Sequence, residues 1–182
     1  MRLVMMGGSL RPGSLNLRLL RHVAAGLRAR GHEVSTFTGE ALRLPLYEDG
    51  LPPAAETLAL HEALGAAQGL VIVSPEYNAG IPAHLKNAVD WLSTMKPSPW
   101  GGLPVLLCAA SPGAFGGARG LMAWRVTLAN MGAMVLPEAL TVPHADQQLD
   151  ADGTPSDART AASVPKILDG FLTLVSRLRP EI

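Results

Sequence analysis

Cysteine is almost absent from this chain: 182 residues contain one, Cys108. An intrachain disulfide framework is excluded, and a single thiol fits a reducing compartment. Cys108 lies in an apolar run over 104–109 and reads as an inert buried thiol, not a nucleophile. Net charge is missing as well, since fifteen basic residues meet fifteen acidic ones. Nucleic acid as the main partner needs a basic face, so that class is set aside. The same balance argues against an acidic electron carrier that docks by charge. No apolar run nears the roughly 20 residues that span a bilayer, so no membrane partner is expected. Residues 1–10 are apolar but broken by Gly7, Gly8 and Ser9, and they read as a strand, not a secretory leader. The cytoplasm is the expected location. The five histidines (22, 32, 61, 84 and 144) show no metal-like pairing, and there is no cysteine cluster and no H-E-x-x-H, so no metal site is expected. A G-x-S-x-G elbow is missing too.

What is present is apolar and alternating. Hydrophobic residues make up 48% and charged residues 16%, which argues for a folded chain with a sizeable core, read as one domain over 1–182. Short apolar runs at 3–6, 33–37, 70–73, 104–109 and 133–136 read as strands, the last with a bent continuation towards Val142. Amphipathic stretches at 15–30, 54–67, 83–95, 119–131 and 163–179 read as helices, and 144–157 reads as polar turns. The seven methionines read as core filler. Strands alternating with helices predict a doubly wound five-stranded parallel sheet of order 2-1-3-4-5, with helices on both faces. In that order a ligand crevice opens between the ends of strands one and three, where the winding reverses.

Two loops with ligand chemistry follow those two strands. After strand one comes Gly7-Gly8-Ser9-Leu10-Arg11-Pro12-Gly13-Ser14-Leu15-Asn16. Glycines let backbone approach an anion, and a helix start favours negative charge. Ser9, Ser14 and Asn16 supply donors, and Arg11 a charge-assisted one. The bland alternative is a plain turn with Ser14 as helix cap. Neither G-x-x-x-x-G-K-[ST] nor G-x-G-x-x-G is present, which disfavours P-loop and dinucleotide sites. After strand three comes Pro75-Glu76-Tyr77-Asn78, which can turn main-chain groups, a rigid ring and a carboxamide to the polar edge of a flat heterocycle. The competing readings are that Asn78 caps helix three and that Glu76 is only a surface carboxylate. Lys86 and Asp90 form an i,i+4 pair of the kind found on solvated faces. Gly116-Gly117 either brings backbone to the same ligand or is a flexible connection.

The run 8–16, the turn Ser74 to Asn78 with Ile81-Pro82 and Leu85-Lys86-Asn87-Ala88-Val89-Asp90-Trp91, and Gly116-Gly117-Ala118-Arg119 resemble the NADPH-dependent FMN reductase family. That family includes quinone, azo-dye and chromate reductases and has a flavodoxin-like fold. Leu44-Pro45-Leu46-Tyr47 and the run 132–137 fall in the family's order, so the likeness covers nearly the whole chain. The resemblance implies bound FMN, with its phosphate held by Ser9, Arg11, Ser14, Leu15 and Asn16. It implies an isoalloxazine lined by Pro75, Glu76, Tyr77 and Asn78, largely through backbone, with Ser111 and Gly113 nearby. Pro12 stands where a basic or small residue is frequent, and Leu15 where an aromatic is.

The expected activity is therefore transfer of electrons from NADPH or NADH, through the flavin N5 atom, to a flavin, quinone, azo or metal-oxyanion acceptor. The cofactor carries that chemistry, so no catalytic acid or base is named. A flavodoxin-type carrier and a non-enzymatic FMN redox sensor are the alternatives. The family also implies a homodimer or homotetramer. Trp91, Met95 and Trp100 would serve as part of its surface, unless they pack within the chain.

Overall fold

The apolar runs become five parallel strands in a computed structural model, which describes residues 1–11 and 13–179. They are β1 (Arg2–Gly7), β2 (Glu33–Phe37), β3 (Gly69–Val73), β4 (Pro104–Ala110) and β5 (Met134–Val142), in the order β2-β1-β3-β4-β5. β3 and β4 are buried along their whole length, and β1 is buried beyond Arg2. A parallel strand covered on both faces needs a continuous apolar run, which is why these segments are so rich in Val, Leu, Ile and Met.

The helices are α1 (Leu15–Arg28), α2 (Ala55–Ala66), α3 (Ala83–Thr94), α4 (Ala118–Asn130), the short α5 (Ala145–Gln148) and α6 (Ala158–Leu178). Side chains alternate between the sheet's two faces. Leu3, Met5, Val71 and Val73 meet Leu19, Val23 and Leu27 of α1 and Leu168, Phe171 and Val175 of α6. Val4, Met6, Leu70 and Ile72 meet Leu60 and Leu64 of α2, Leu85 and Val89 of α3, and Leu121 and Trp124 of α4. Among the described residues no helix is long and apolar enough to cross a membrane.

Several expectations need correction. Strand five does continue to Val142, as read, but it starts at Met134; its pairing slips between Val105 and Leu107, opposite a stretch holding Pro137, which has no N–H to offer. α6 begins five residues earlier than expected, because the Asp157 carboxylate caps it by accepting from the Thr160 N–H (2.7 Å) and hydroxyl (2.8 Å). Pro165 inside that helix hides its continuity in the sequence. The stretch read as polar turns contains α5, and a short 3-10 turn, Gly39–Leu42, was not anticipated. Trp91 and Trp100 do not form an exposed surface: they are 2% and 1% exposed, and the Trp91 indole N–H donates to the Pro45 carbonyl (2.7 Å). Met122 and Met134 are exposed, not core. Met5 and Met6 are core as read.

Candidate functional site

The ends of β1 and β3 lie side by side, with Gly7 opposite Val73. Gly7 has a φ of 143°, and a Cβ there would sit 2.0 Å from the Val73 carbonyl oxygen, so only glycine allows this approach. The Gly8 N–H donates to that same oxygen at 2.7 Å. The chain then folds back on two buried serines. Ser14 caps α1, its Oγ accepting from the N–H groups of Leu17 and Ser9 (both 3.3 Å). The Ser9 Oγ accepts from the Arg11 N–H at 3.2 Å. Among the described residues the N–H groups of Leu15 and Asn16 have no partner, and the exposed Arg11 guanidinium has no ion pair. A helix start with open donors, two hydroxyls, a guanidinium and no acid is chemistry suited to an anion. Pro12 lies outside the described residues.

Asn16 departs from the donor role read for its side chain. Its carboxamide is buried and held by the Ala110 backbone, donating to the carbonyl (2.8 Å) and accepting from the N–H (2.9 Å). What Asn16 turns to the loop is its main-chain N–H. Its side chain ties the start of α1 to the end of β4.

The turn after β3 is a two-residue reversal, Tyr77 bridging to Gly80 with Asn78 and Ala79 at φ of 51° and 58°. Two positive φ values in succession match a type I′ turn. Asn78 therefore stands exposed at the tip and does not cap α3, whose cap position is Pro82. The Tyr77 hydroxyl meets the Ser9 hydroxyl at 2.9 Å and joins the two loops. Glu76 is not a surface carboxylate: its side chain is 10% exposed and grips Arg119 (2.7 Å) and the Gly120 N–H (3.1 Å). Gly116 and Gly117 are not a flexible connection either, because a Cβ on Gly116 would lie 2.8 Å from the Pro143 nitrogen, and one on Gly117 2.7 Å from the Ala109 Cβ. The Lys86–Asp90 ion pair forms on the half-exposed face as read.

These loops enclose a cleft of about 190 Å³ lined by Ser9, Arg11, Ser14, Leu15, Asn16, Pro75, Glu76, Tyr77 and Ser111. Asn78 and Gly113 lie outside its lining; the Gly113 N–H donates instead to the Ser111 Oγ at 3.1 Å. Ala110 and Pro112, which sequence reasoning missed, complete the wall. Their signal was available, since both flank Ser111. His84 lies outside the lining but touches the first loop. It sits in the first turn of α3, its Nε2 is 3.2 Å from the Gly8 carbonyl, and burial holds its pKa below the ordinary histidine value while that carbonyl pulls the other way. Cys108 is buried, and burial pushes its thiol pKa far up, so it is inert as read.

The family model described as NADPH-dependent FMN reductase matches residues 1–147. The chain belongs to the NADPH-dependent FMN reductase family. It is 39% identical over 142 residues to a quinone reductase of Escherichia coli, covering 75% of this chain and 73% of the relative. An NAD(P)H-dependent FMN reductase of Pseudomonas aeruginosa is 34% identical over 179 residues, 94% of each chain. Among solved structures, FerB from Paracoccus denitrificans, a flavoenzyme NAD(P)H:(acceptor) oxidoreductase, superposes with a TM-score of 0.86 at 28% identity, over 97% of this chain and 98% of that one. Membership makes the chain an oxidoreductase of flavodoxin-like fold, with FMN as cofactor and a reduced nicotinamide as electron donor, as its motifs implied.

The residues fit FMN. One end of the cleft offers the acid-free donor set that a phosphate requires. The other offers the main chain of a rigid turn, fit for the hydrogen-bonding edge of a flat ring. The only carboxylate among the described lining residues, Glu76, is already neutralised by Arg119. The enclosed volume, about 190 Å³, is below the roughly 300–1,000 Å³ typical of ligand pockets.

Proposed function

We propose that this chain reduces a small-molecule acceptor, a quinone by preference, with electrons from NADPH or NADH, at an FMN held between the ends of β1 and β3. One observation carries the reading: the donor-rich loop and the main-chain turn converge at neighbouring strand ends, joined by the Tyr77–Ser9 hydrogen bond. Bound there, FMN supplies hydride acceptance at its N5 atom and onward delivery of the electrons. The chain's residues bind and orient. Ser9, Arg11 and Ser14 and the main-chain N–H groups of Leu15 and Asn16 hold the phosphate. Pro75, Glu76, Tyr77 and Asn78 present backbone to the ring, with Ser111 and Gly113 on the flank. No side chain is assigned as acid or base. The named activity of the Escherichia coli relative supports a quinone; flavins, azo compounds and metal oxyanions are the other acceptors to test.

The whole chain acts as one FMN-binding domain in the cytoplasm. Phe115, Met122 and Val126 form an exposed apolar row along α4 and the loop before it, and a second copy of the chain covers it in a homodimer or homotetramer. A light-scattering mass near the 19.1 kDa of one chain refutes that assembly. The activity is tested by anaerobic stopped-flow mixing of FMN-loaded protein with NADPH and with NADH, followed by an acceptor panel. Rapid bleaching of the flavin band and its recovery with quinones is expected. Protein that takes up no FMN overturns the reading, and uptake without bleaching reassigns the chain as an electron carrier.

A further inference from the structure

Among the described residues Glu76 is the only acid lining the cleft, and its charge is met on both oxygens. Oε1 accepts from Arg119 Nε (2.8 Å) and Nη2 (2.7 Å), and Oε2 accepts from the Gly120 N–H (3.1 Å) in the first turn of α4. A guanidinium and the positive end of a helix thus face one carboxylate. The approach is built into the chain. A Cβ at Gly120 would press to 3.2 Å from the Glu76 Cα and Cβ, tighter than ordinary contact. Arg119 is steadied in turn over the Phe115 ring, 5.3 Å from its centre. The neighbouring Tyr77 anchors the same turn to Ser9. The turn is therefore held at both ends, and its one formal charge is cancelled at the α4 end.

Reduction of a bound flavin by two electrons and one proton leaves it negative at neutral pH. A bare carboxylate in the cleft wall opposes that charge, and a bare guanidinium favours it. We propose that Glu76 and Arg119 form a charge-cancelling clamp that positions the Pro75–Tyr77 turn and sets the reduction potential of the flavin bound against it. The inference rests on the proposed function and adds to it a pair of positioning residues. The carboxylate is 10% exposed and the guanidinium 63%, so water screens the cation more than the anion. Loss of Arg119 therefore moves the potential further than loss of Glu76.

The test is the two-electron midpoint potential of FMN bound to full-length protein, by equilibration with a reference dye, for the wild type, Glu76→Gln, Arg119→Gln, the double variant and Arg119→Lys. Arg119→Gln is expected to shift the potential negative, Glu76→Gln to shift it positive by less, and the double variant to return close to wild type. Arg119→Lys keeps the charge and should hold the wild-type potential while FMN affinity falls. Affinities for oxidised and for dithionite-reduced FMN, titrated separately, must show the same order in their ratio. Shifts of one sign in both single variants mean a purely mechanical clamp and overturn the proposal. So do unchanged potentials, a Lys variant displaced as far as Gln, or loss of FMN uptake in both neutral variants. A wild-type chain that binds no FMN removes the proposed function itself, an outcome distinct from all of these.

Discussion

Replacing Asn16 should unseat the start of α1 from the end of β4. Its carboxamide makes two hydrogen bonds to the Ala110 backbone, at 2.8 and 2.9 Å, and the residue is 4% exposed. Removing it orphans one buried N–H and one buried C=O. At about 1–3 kcal/mol for each such group, the loss is about 2–6 kcal/mol, a large part of the roughly 5–15 kcal/mol that stabilises a typical domain. The replacement decides where in that range the loss falls. Asn16→Ala leaves a space beside an open cleft that water can enter and bond both groups, so it should sit near the low end. Asn16→Leu fills the space with carbon, keeps water out and should cost more. Urea unfolding of the FMN-free protein, with m checked for constancy, measures both. Melting points should fall by roughly 5–20 °C in the same order. If both variants stay within about 0.5 kcal/mol of wild type, or Ala is the more damaging, the paired backbone bonds do not hold the site together.

Arg11→Ala removes the one guanidinium of the donor loop and should weaken FMN binding by about 1.5–3 kcal/mol, while riboflavin, which lacks the phosphate, binds as before. Equal losses for both ligands, or none, remove Arg11 from the phosphate site. Ala79 has a φ of 58°, where a Cβ is disfavoured, so Ala79→Gly should raise stability by about 0.5–1 kcal/mol in urea; a loss contradicts the turn assignment. Burial lowers the pKa of His84 below the ordinary 6.5, so between the two values the unfolded chain binds the extra proton. Stability is then full above about pH 6.5 and falls as pH drops through that window. His84→Gln keeps a donor towards the Gly8 carbonyl and should shrink the loss between about pH 7.5 and 5.5. His22, also lowered by burial and opposed by Asp150, should account for part of the remainder.

The fold was legible because β1, β3 and β4 are buried on two faces and the helices on one, and those patterns differ in period. The cleft was legible because Gly7-Gly8, the two serines and Pro75 to Tyr77 are chemically unlike ordinary connections. What was hidden depends on partners distant in sequence. Nothing near Asn16 points to Ala110, 94 residues away, and nothing near Glu76 points to Arg119 and Gly120. Asn78 illustrates the same limit from the other side. A carboxamide shortly before a helix suits a cap, but the positive φ it tolerates made it a turn residue instead. Trp91 and Trp100 look like an interface as large apolar residues near a loop, and only packing shows them to be core. Pro165 concealed the first turn of α6, which the Asp157–Thr160 pair could have disclosed.

The most direct measurement is a crystal structure of the protein grown with excess FMN. The phosphate should lie within hydrogen-bonding distance of Ser9, Arg11 and Ser14, with the ring edge against the main chain of residues 75–78. A flavin bound elsewhere, or a cleft that stays empty at saturating FMN, contradicts the account.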